Sequence, residues 1–294
     1  MMKDKEAYIY ALSAVFLWST VATAFKISLN YLSPVQLLLV ASGTSFMVLS
    51  FVIKLQKKSF HFDKAQFKKM AILGALNPFL YYLVLFKAYD LLPAQEAQPL
   101  NYTWALVLAY LSALILKQRL YWQDIAAGFI CYFGGLIIST KGAVFSLEFS
   151  NPVGVALALG STLLWSLFWI YNKKWEIDPV IGLWVNFGVG FFLTLIWAFL
   201  NVHLNVFPIK GLLGGVYVGI FEMGFTFLLW LKAMQLTKQT AKIANLIFLS
   251  PFLSLFFISV FLKESIFPST IVGLILIVLG LLLQQKKSKH ETAS

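Results

Sequence analysis

The chain has 294 residues, of which 60% are hydrophobic and 12% are charged, and its mean hydropathy is +0.82. Soluble domains carry about 25% charged residues, so this composition excludes a soluble globular domain and predicts an all-α polytopic membrane protein. The formal net charge of +11 would suit a nucleic-acid surface, but the lysines are spread over many short connections and form no basic face or arm. A nucleic-acid partner is therefore not expected.

Ten apolar stretches are long enough to cross a bilayer, which requires roughly 17–25 residues per helix. In chain order they fall near residues 7–25, 35–53, 70–86, 97–116, 125–140, 153–172, 180–202, 211–231, 243–262 and 266–285. The connections between them are short, which leaves no room for a catalytic domain outside the membrane. A single cysteine, Cys131, lies within a predicted span, so no intrachain disulfide can form.

The distribution of lysine and arginine predicts the orientation in the membrane. With the N-terminus in the cytoplasm, most basic residues fall in the connections on that side, and the largest group lies in residues 54–69. Lysine and arginine concentrate in cytoplasmic connections, so the pattern places both termini in the cytoplasm. The lysines also suit attraction to the anionic lipids of the bilayer.

The chain contains the same pattern twice. Trp18 with Lys26 recurs as Trp165 with Lys173, and Gly74 followed by Lys87-Ala88 recurs as Gly219 followed by Lys232-Ala233. The two predicted repeats are residues 1–142 and 151–294. Each holds five predicted spans, an odd number, so the second repeat is expected to cross the membrane upside down relative to the first.

These paired landmarks, with the LKQRL and LKESI sequences that close the fourth predicted span of each half, resemble the drug/metabolite transporter superfamily, and within it the ten-helix EamA-type permeases. The resemblance covers essentially the whole chain. It implies a secondary transporter of small organic metabolites, amino-acid-like or amphipathic, often exported by alternating access. It also implies a bacterial plasma (inner) membrane, and a substrate cavity lined by the first, third and fourth helices of each half.

Glu222 is the most informative single residue, because it lies within an otherwise uncharged span. A carboxylate at membrane depth is tolerated only where it faces protein or water and has partners. Thr226, four residues later, shares its helical face, and Asn77 with Tyr81 occupies the equivalent place in the first half. Glu222 could receive an amine of the substrate, couple transport to protons or serve only in helix packing.

A second cluster of polar and aromatic residues opens the fourth span, where Gln98, Asn101 and Tyr102 share a helical face. Its counterpart in the second half is Asn245. The paired Trp18 and Trp165 could form walls of the cavity and attract an ammonium group. Trp169, one helical turn after Trp165, is a further candidate for substrate binding. An interfacial aromatic belt or simple helix packing would also explain these side chains.

Two other classes of function remain as alternatives, namely a channel or scaffold and a membrane-embedded enzyme. The sequence shows no zinc-protease, paired-aspartate or Gly-x-Ser-x-Gly motif, so an enzyme is not expected. No metal or cofactor is expected either. The glycines of the fifth and tenth spans, including Gly128, Gly273 and Gly280, suit close helix packing or contact between two copies in a homodimer.

Overall fold

The fold is known from a computed structural model, which describes residues 2–56, 63–117, 120–146, 148–175, 178–201, 206–236, 243 and 246–285. Within these residues the chain is helical and contains no strand. The α-helices are α1 (Met2–Leu29), α2 (Pro34–Leu55), α3 (Lys64–Gly74), α4 (Tyr81–Leu91), α5 (Ala94–Tyr102), α6 (Trp104–Ile115), α7 (Trp122–Ser139), α8 (Pro152–Lys174), α9 (Pro179–Asn201), α10 (Ile209–Phe221), α11 (Phe225–Leu236), α12 (Ser250–Phe257) and α13 (Pro268–Gln285).

Seven helical stretches of the described residues are long and apolar enough to cross a membrane. They are Lys5–Leu29, Pro34–Leu55, Lys64–Leu91, Trp122–Ser139, Pro152–Lys174, Val180–Asn201 and Ile209–Met234. Two shorter apolar stretches follow, Leu246–Leu262 and Pro268–Gln284. The all-α membrane fold is thus confirmed, whereas the count of ten spans stays a prediction.

The fourth predicted span, residues 97–116, is not one continuous helix. It is divided at Thr103 into α5 and α6. The buried Thr103 hydroxyl donates a hydrogen bond to the carbonyl oxygen of Leu100, 2.8 Å away. A side chain that bonds to nearby backbone competes with the regular helical pattern, which fits a division at this residue.

Local sequence signals explain where two of the spanning helices begin. Ser33 caps α2 by accepting a hydrogen bond from the amide of Gln36, and the side chain of Gln36 accepts one from the amide of Ser33. Asn151 caps α8 by accepting from the amide of Gly154. In both helices a proline follows the cap, where its missing amide leaves no hydrogen bond unmade.

The chain divides into two compact units. Unit 1 comprises Met1–Phe86 and Ile177–Lys263, and unit 2 comprises Lys87–Glu176 and Glu264–Ser294. Each unit therefore takes segments from both predicted repeats. The repeat boundaries at 142 and 151 stay predictions, since the units describe spatial packing and not duplication.

Within unit 1, the paired glycines make reciprocal contacts. A Cβ on Gly74 of α3 would lie 2.7 Å from the carbonyl oxygen of Asn186 in α9, and a Cβ on Gly219 of α10 would lie 2.5 Å from that of Ala41 in α2. Asn186 follows Ala41 by the same 145 residues that separate the two glycines. Each third helix thus packs on the second helix of the other repeat, as a two-fold relation between repeats requires.

Within unit 2, glycines bring α7 and α13 into backbone contact. A Cβ on Gly134 would lie 2.6 Å from the carbonyl oxygen of Gly273, and one on Gly280 would lie 2.5 Å from the sulfur of Cys131. The expected role of Gly273 and Gly280 in close helix packing is therefore observed. Contact between two copies of the chain remains a prediction.

We expect Gly219→Ala to destabilise the protein by about 1–3 kcal/mol, because the added methyl group overlaps backbone that cannot move without shifting α2. Gly160→Ala, with no atom within 4 Å of the added carbon, is the matched control. Thermal unfolding of the purified protein in detergent, followed by tryptophan fluorescence, measures both. Equal midpoints for the two variants would contradict the reciprocal packing.

Candidate functional site

Both third helices are interrupted three residues after their paired glycine. In the first repeat, a π-helical segment, Ala75–Leu80, separates α3 from α4, and Asn77 within it has φ −146° and ψ 118°. In the second repeat, α10 ends at Phe221 and α11 begins at Phe225. Asn77 and Glu222 stand at these two interruptions. Interrupted helices at membrane depth are tolerated where the irregular backbone is enclosed by protein or lines a cavity.

Glu222 accepts a hydrogen bond from the hydroxyl of Tyr82, with 3.0 Å between the oxygens. Tyr82 is fully buried, whereas Glu222 keeps part of its surface accessible. Tyr82 is not among the predicted site residues; its neighbour Tyr81, which follows Asn77 as Thr226 follows Glu222, is. A π-helical segment adds a residue to the turn, and the side chain that reaches Glu222 stands five residues after Asn77.

Of the other predicted residues at the interruptions, Thr226 and Tyr81 contact neighbouring groups of the protein, whereas the Asn77 side-chain oxygen is unpaired among the described residues. The Thr226 hydroxyl donates to the carbonyl of Phe221, so it satisfies the last turn of α10. The Asn77 side chain is buried, and its Oδ1 has no hydrogen-bond partner among the described residues. Tyr81 is also buried, with its ring edge-on to that of Tyr82 at 4.7 Å.

Aromatic side chains of α1 contact α11 and α4, the helices that follow the two interruptions. The ring of Trp18 lies 5.6 Å from Phe227 and 5.5 Å from Trp230, both on α11. Phe25, seven residues after Trp18 and so on the same face of α1, lies 4.8 Å from Phe86 of α4. We name the group formed by Trp18, Phe25, Tyr82, Glu222 and Trp230 the Glu222 cluster; it lies wholly within unit 1.

Unit 2 brings together predicted residues of the fourth and sixth spans. The Asn101 side chain of α5 donates to the hydroxyl of Ser161 in α8, 2.9 Å away. One turn along α8, the ring of Trp165 is edge-on to Trp104 at 6.2 Å and to Trp169 at 5.8 Å. We name Asn101, Ser161, Trp165 and Trp169 the Asn101 cluster. It contains three predicted site residues, namely Asn101, Trp165 and Trp169.

Three other candidates can be placed only in part. Gln98 is buried, and its side-chain oxygen has no hydrogen-bond partner among the described residues. Tyr102 is partly exposed. Asn245 lies outside the described residues.

The described residues contain no group of three or more histidine, cysteine, aspartate or glutamate side chains that could hold a metal ion. The Glu222 cluster has one carboxylate, one phenolic hydroxyl and aromatic rings. Such a set can bind a cationic or hydrogen-bonding group of a small organic molecule.

Interrupted helices that carry polar side chains at membrane depth are typical of secondary transporters. The profile of the EamA-like transporter family matches residues 5–140 and again residues 152–284. The chain therefore belongs to the EamA-like transporter family.

Related proteins from bacteria and archaea carry the same general description. The uncharacterized transporter YvbV of Bacillus subtilis is 26% identical over 74% of this chain and 72% of its own length. An uncharacterized transporter of Archaeoglobus fulgidus is 24% identical over 96% of this chain and 99% of its own. A crystal structure with 20% identity, covering 97% of this chain and 98% of its own, shares the fold with a TM-score of 0.67.

We expect a double-mutant cycle to detect the link between α5 and α8. Asn101→Ala and Ser161→Ala should couple by about 0.5–1.5 kcal/mol, the usual net contribution of one hydrogen bond. Thr162→Ala is the control for Ser161→Ala, because the Thr162 hydroxyl donates to the carbonyl of Leu159 in its own helix. Unfolding free energies measure the coupling, and additive effects of Asn101→Ala and Ser161→Ala would refute the contact.

Proposed function

We propose that the chain is a secondary transporter that moves small amine-bearing organic metabolites, amino-acid-like or amphipathic, by alternating access. The Glu222 carboxylate with its Tyr82 hydroxyl is the observation that carries this proposal. Membership of a transporter family supports transport as such. The substrate class is inferred from the side chains of the cluster.

The carboxylate of Glu222 favours a positively charged substrate group. Among the described residues, its hydrogen-bond partner is a neutral hydroxyl, and that bond leaves a negative charge to be balanced. An ionised group within the membrane is costly unless it is paired, and the ammonium group of a solute would supply the pair. The exposed part of Glu222 gives such a group access.

Aromatic rings of α1 and α11 extend this preference to the rest of the solute. Trp18 and Trp230 are both partly exposed, and tryptophan faces attract ammonium groups and cover apolar surface. In unit 2, Asn101 and Trp165 provide hydrogen-bonding and aromatic groups of the same kind. This chemistry suits an amphipathic amine better than a strongly anionic solute.

The architecture supports alternating access. Tyr82 belongs to the first repeat and Glu222 to the second, so the pair joins the two repeats. When inverted repeats rock against each other, a site at their junction can open to either side of the membrane in turn. We propose export across a bacterial plasma membrane, with both termini in the cytoplasm, on the strength of the lysine distribution and of the family resemblance.

Thermal-shift screening followed by counterflow in proteoliposomes tests the proposal. The probes are neutral amino acids, their methyl esters, the corresponding amines and their N-acetyl derivatives. A ligand that favours the native state raises the apparent stability, and the first three groups carry an ammonium. For any probe that binds, Glu222→Gln should lower the apparent affinity about ten- to hundred-fold, because a hydrogen bond to a charged group contributes about 1.5–3 kcal/mol.

Tyr82→Phe should lower the affinity for the same probe by a smaller factor. Glu148→Gln, which changes an exposed carboxylate, should leave the affinity unchanged. Transport of N-acetyl derivatives at the rate of the free amines would contradict recognition of the ammonium group. Flux without acceleration by substrate on the opposite side would favour a channel over a carrier.

A further inference from the structure

The first turn of α5 is held by residues that stand far away in the sequence. The carboxylate of Glu264 accepts hydrogen bonds from the amides of Ala94 and Gln95, at 3.0 and 3.4 Å. The side chain of Gln95 donates to Glu264 and to the carbonyl of Ser265, and it accepts from the amide of Phe267. The segment before α13 is thereby tied to the start of α5 within unit 2.

Glu96 ties the same turn to a second segment. Its side chain is fully buried, and one carboxyl oxygen accepts a hydrogen bond from the hydroxyl of Ser150 in the connection between α7 and α8. The other oxygen has no hydrogen-bond partner among the described residues. We name Gln95, Glu96, Ser150 and Glu264 together the α5 latch.

Two charged groups influence Glu96 besides its burial. Burial is the largest effect and raises the pKa of the Glu96 carboxyl above its usual range. The Ser150 hydroxyl and the positive charge of Lys141 act in the opposite direction, and the negative charge of Glu264 raises the pKa further. Glu96 precedes the predicted span 97–116, so in the predicted orientation the latch lies at the outer surface.

An ionised Glu96 therefore weakens the structure that surrounds it. Its charge is removed from water next to a second carboxylate, Glu264, whose oxygens are already committed to the α5 amides. One carboxylate oxygen of Glu96 accepts no hydrogen bond among the described residues, so the lost hydration is not replaced there. Opening the latch would return the charge to water, whereas a bound proton would remove the need to open.

We propose that Glu96 is a proton-binding site that controls the α5 latch: the latch is closed when Glu96 carries a proton and opens when the proton leaves. The role is distinct from that of Glu222, and it does not require that the proposed solute be correct. Because α5 also carries Gln98 and Asn101, the latch would make the position of these residues depend on the pH at one membrane surface.

Proton binding by Glu96 and closure of the latch are thermodynamically linked. The closed latch binds the proton more tightly than the open latch, in which Glu96 is solvated. Closure is therefore favoured as the pH falls, and it is lost as the pH rises through the raised pKa of the closed state. One group can change the closing equilibrium by at most about tenfold per pH unit.

Hydrogen–deuterium exchange of the purified full chain tests the proposal through the amides of the first turn of α5. The measured protection is first corrected for the intrinsic pH dependence of exchange. In the wild type, the corrected protection of these amides should fall about tenfold or more between about pH 5.5 and about pH 8. Glu96→Gln, which resembles the protonated form, should show high protection throughout that range. Glu148→Gln should behave as the wild type does.

Ser150→Ala gives a second, graded test. The hydroxyl that it removes stabilises the ionised carboxylate of the closed latch, so its loss should raise the pKa of the closed state further. The fall in protection should begin at the same pH, which the solvated carboxyl of the open latch sets, and continue to a higher pH. This variant keeps Glu96 and serves even if Glu96→Gln does not fold. Protection that is independent of pH in the wild type, or that changes with pH equally in Glu96→Gln, would overturn the proposal.

Discussion

Close backbone contact at two equivalent glycines is the constraint on which the candidate site in unit 1 depends. Gly74 and Gly219 let each third helix lie directly against the backbone of the second helix of the other repeat. Any side chain at these positions would push the helices apart. The contacts fix the depth of both third helices, and therefore the positions of Asn77 and Glu222, which stand at the interruptions three residues later.

The interruptions convert this packing into chemistry. A regular helix satisfies its own backbone and offers only side chains to a solute, whereas an interrupted one changes which side chains face inward. The π-helical turn at Ala75–Leu80 presents Tyr82 to Glu222. At the second interruption, Thr226 satisfies the Phe221 carbonyl, so the irregular turn is stabilised without help from the carboxylate.

Much of the fold could be predicted from the sequence, because the length and apolarity of a span are local properties. The predicted span 153–172 corresponds to Pro152–Lys174, and 180–202 corresponds to Pro179–Asn201. Glu222 could also be identified, since one acid in an apolar run is conspicuous. Tyr82 could not, because its contact with Glu222 joins residues that are 140 positions apart in the sequence. Ser150 and Glu264 were missed because their partners lie in other segments, and sequence spacing carries no signal for such contacts.

The division into units has a consequence for biosynthesis. The amino-terminal helices α1, α2 and α3 share a compact unit with helices that leave the ribosome only after the intervening residues 87–176 have been made. The early helices must therefore insert and persist in the bilayer while the surfaces of Gly74 and Ala41 still face lipid. Final assembly of this unit waits for α9 and α10, so the nascent chain completes its tertiary structure late, however early its helices form.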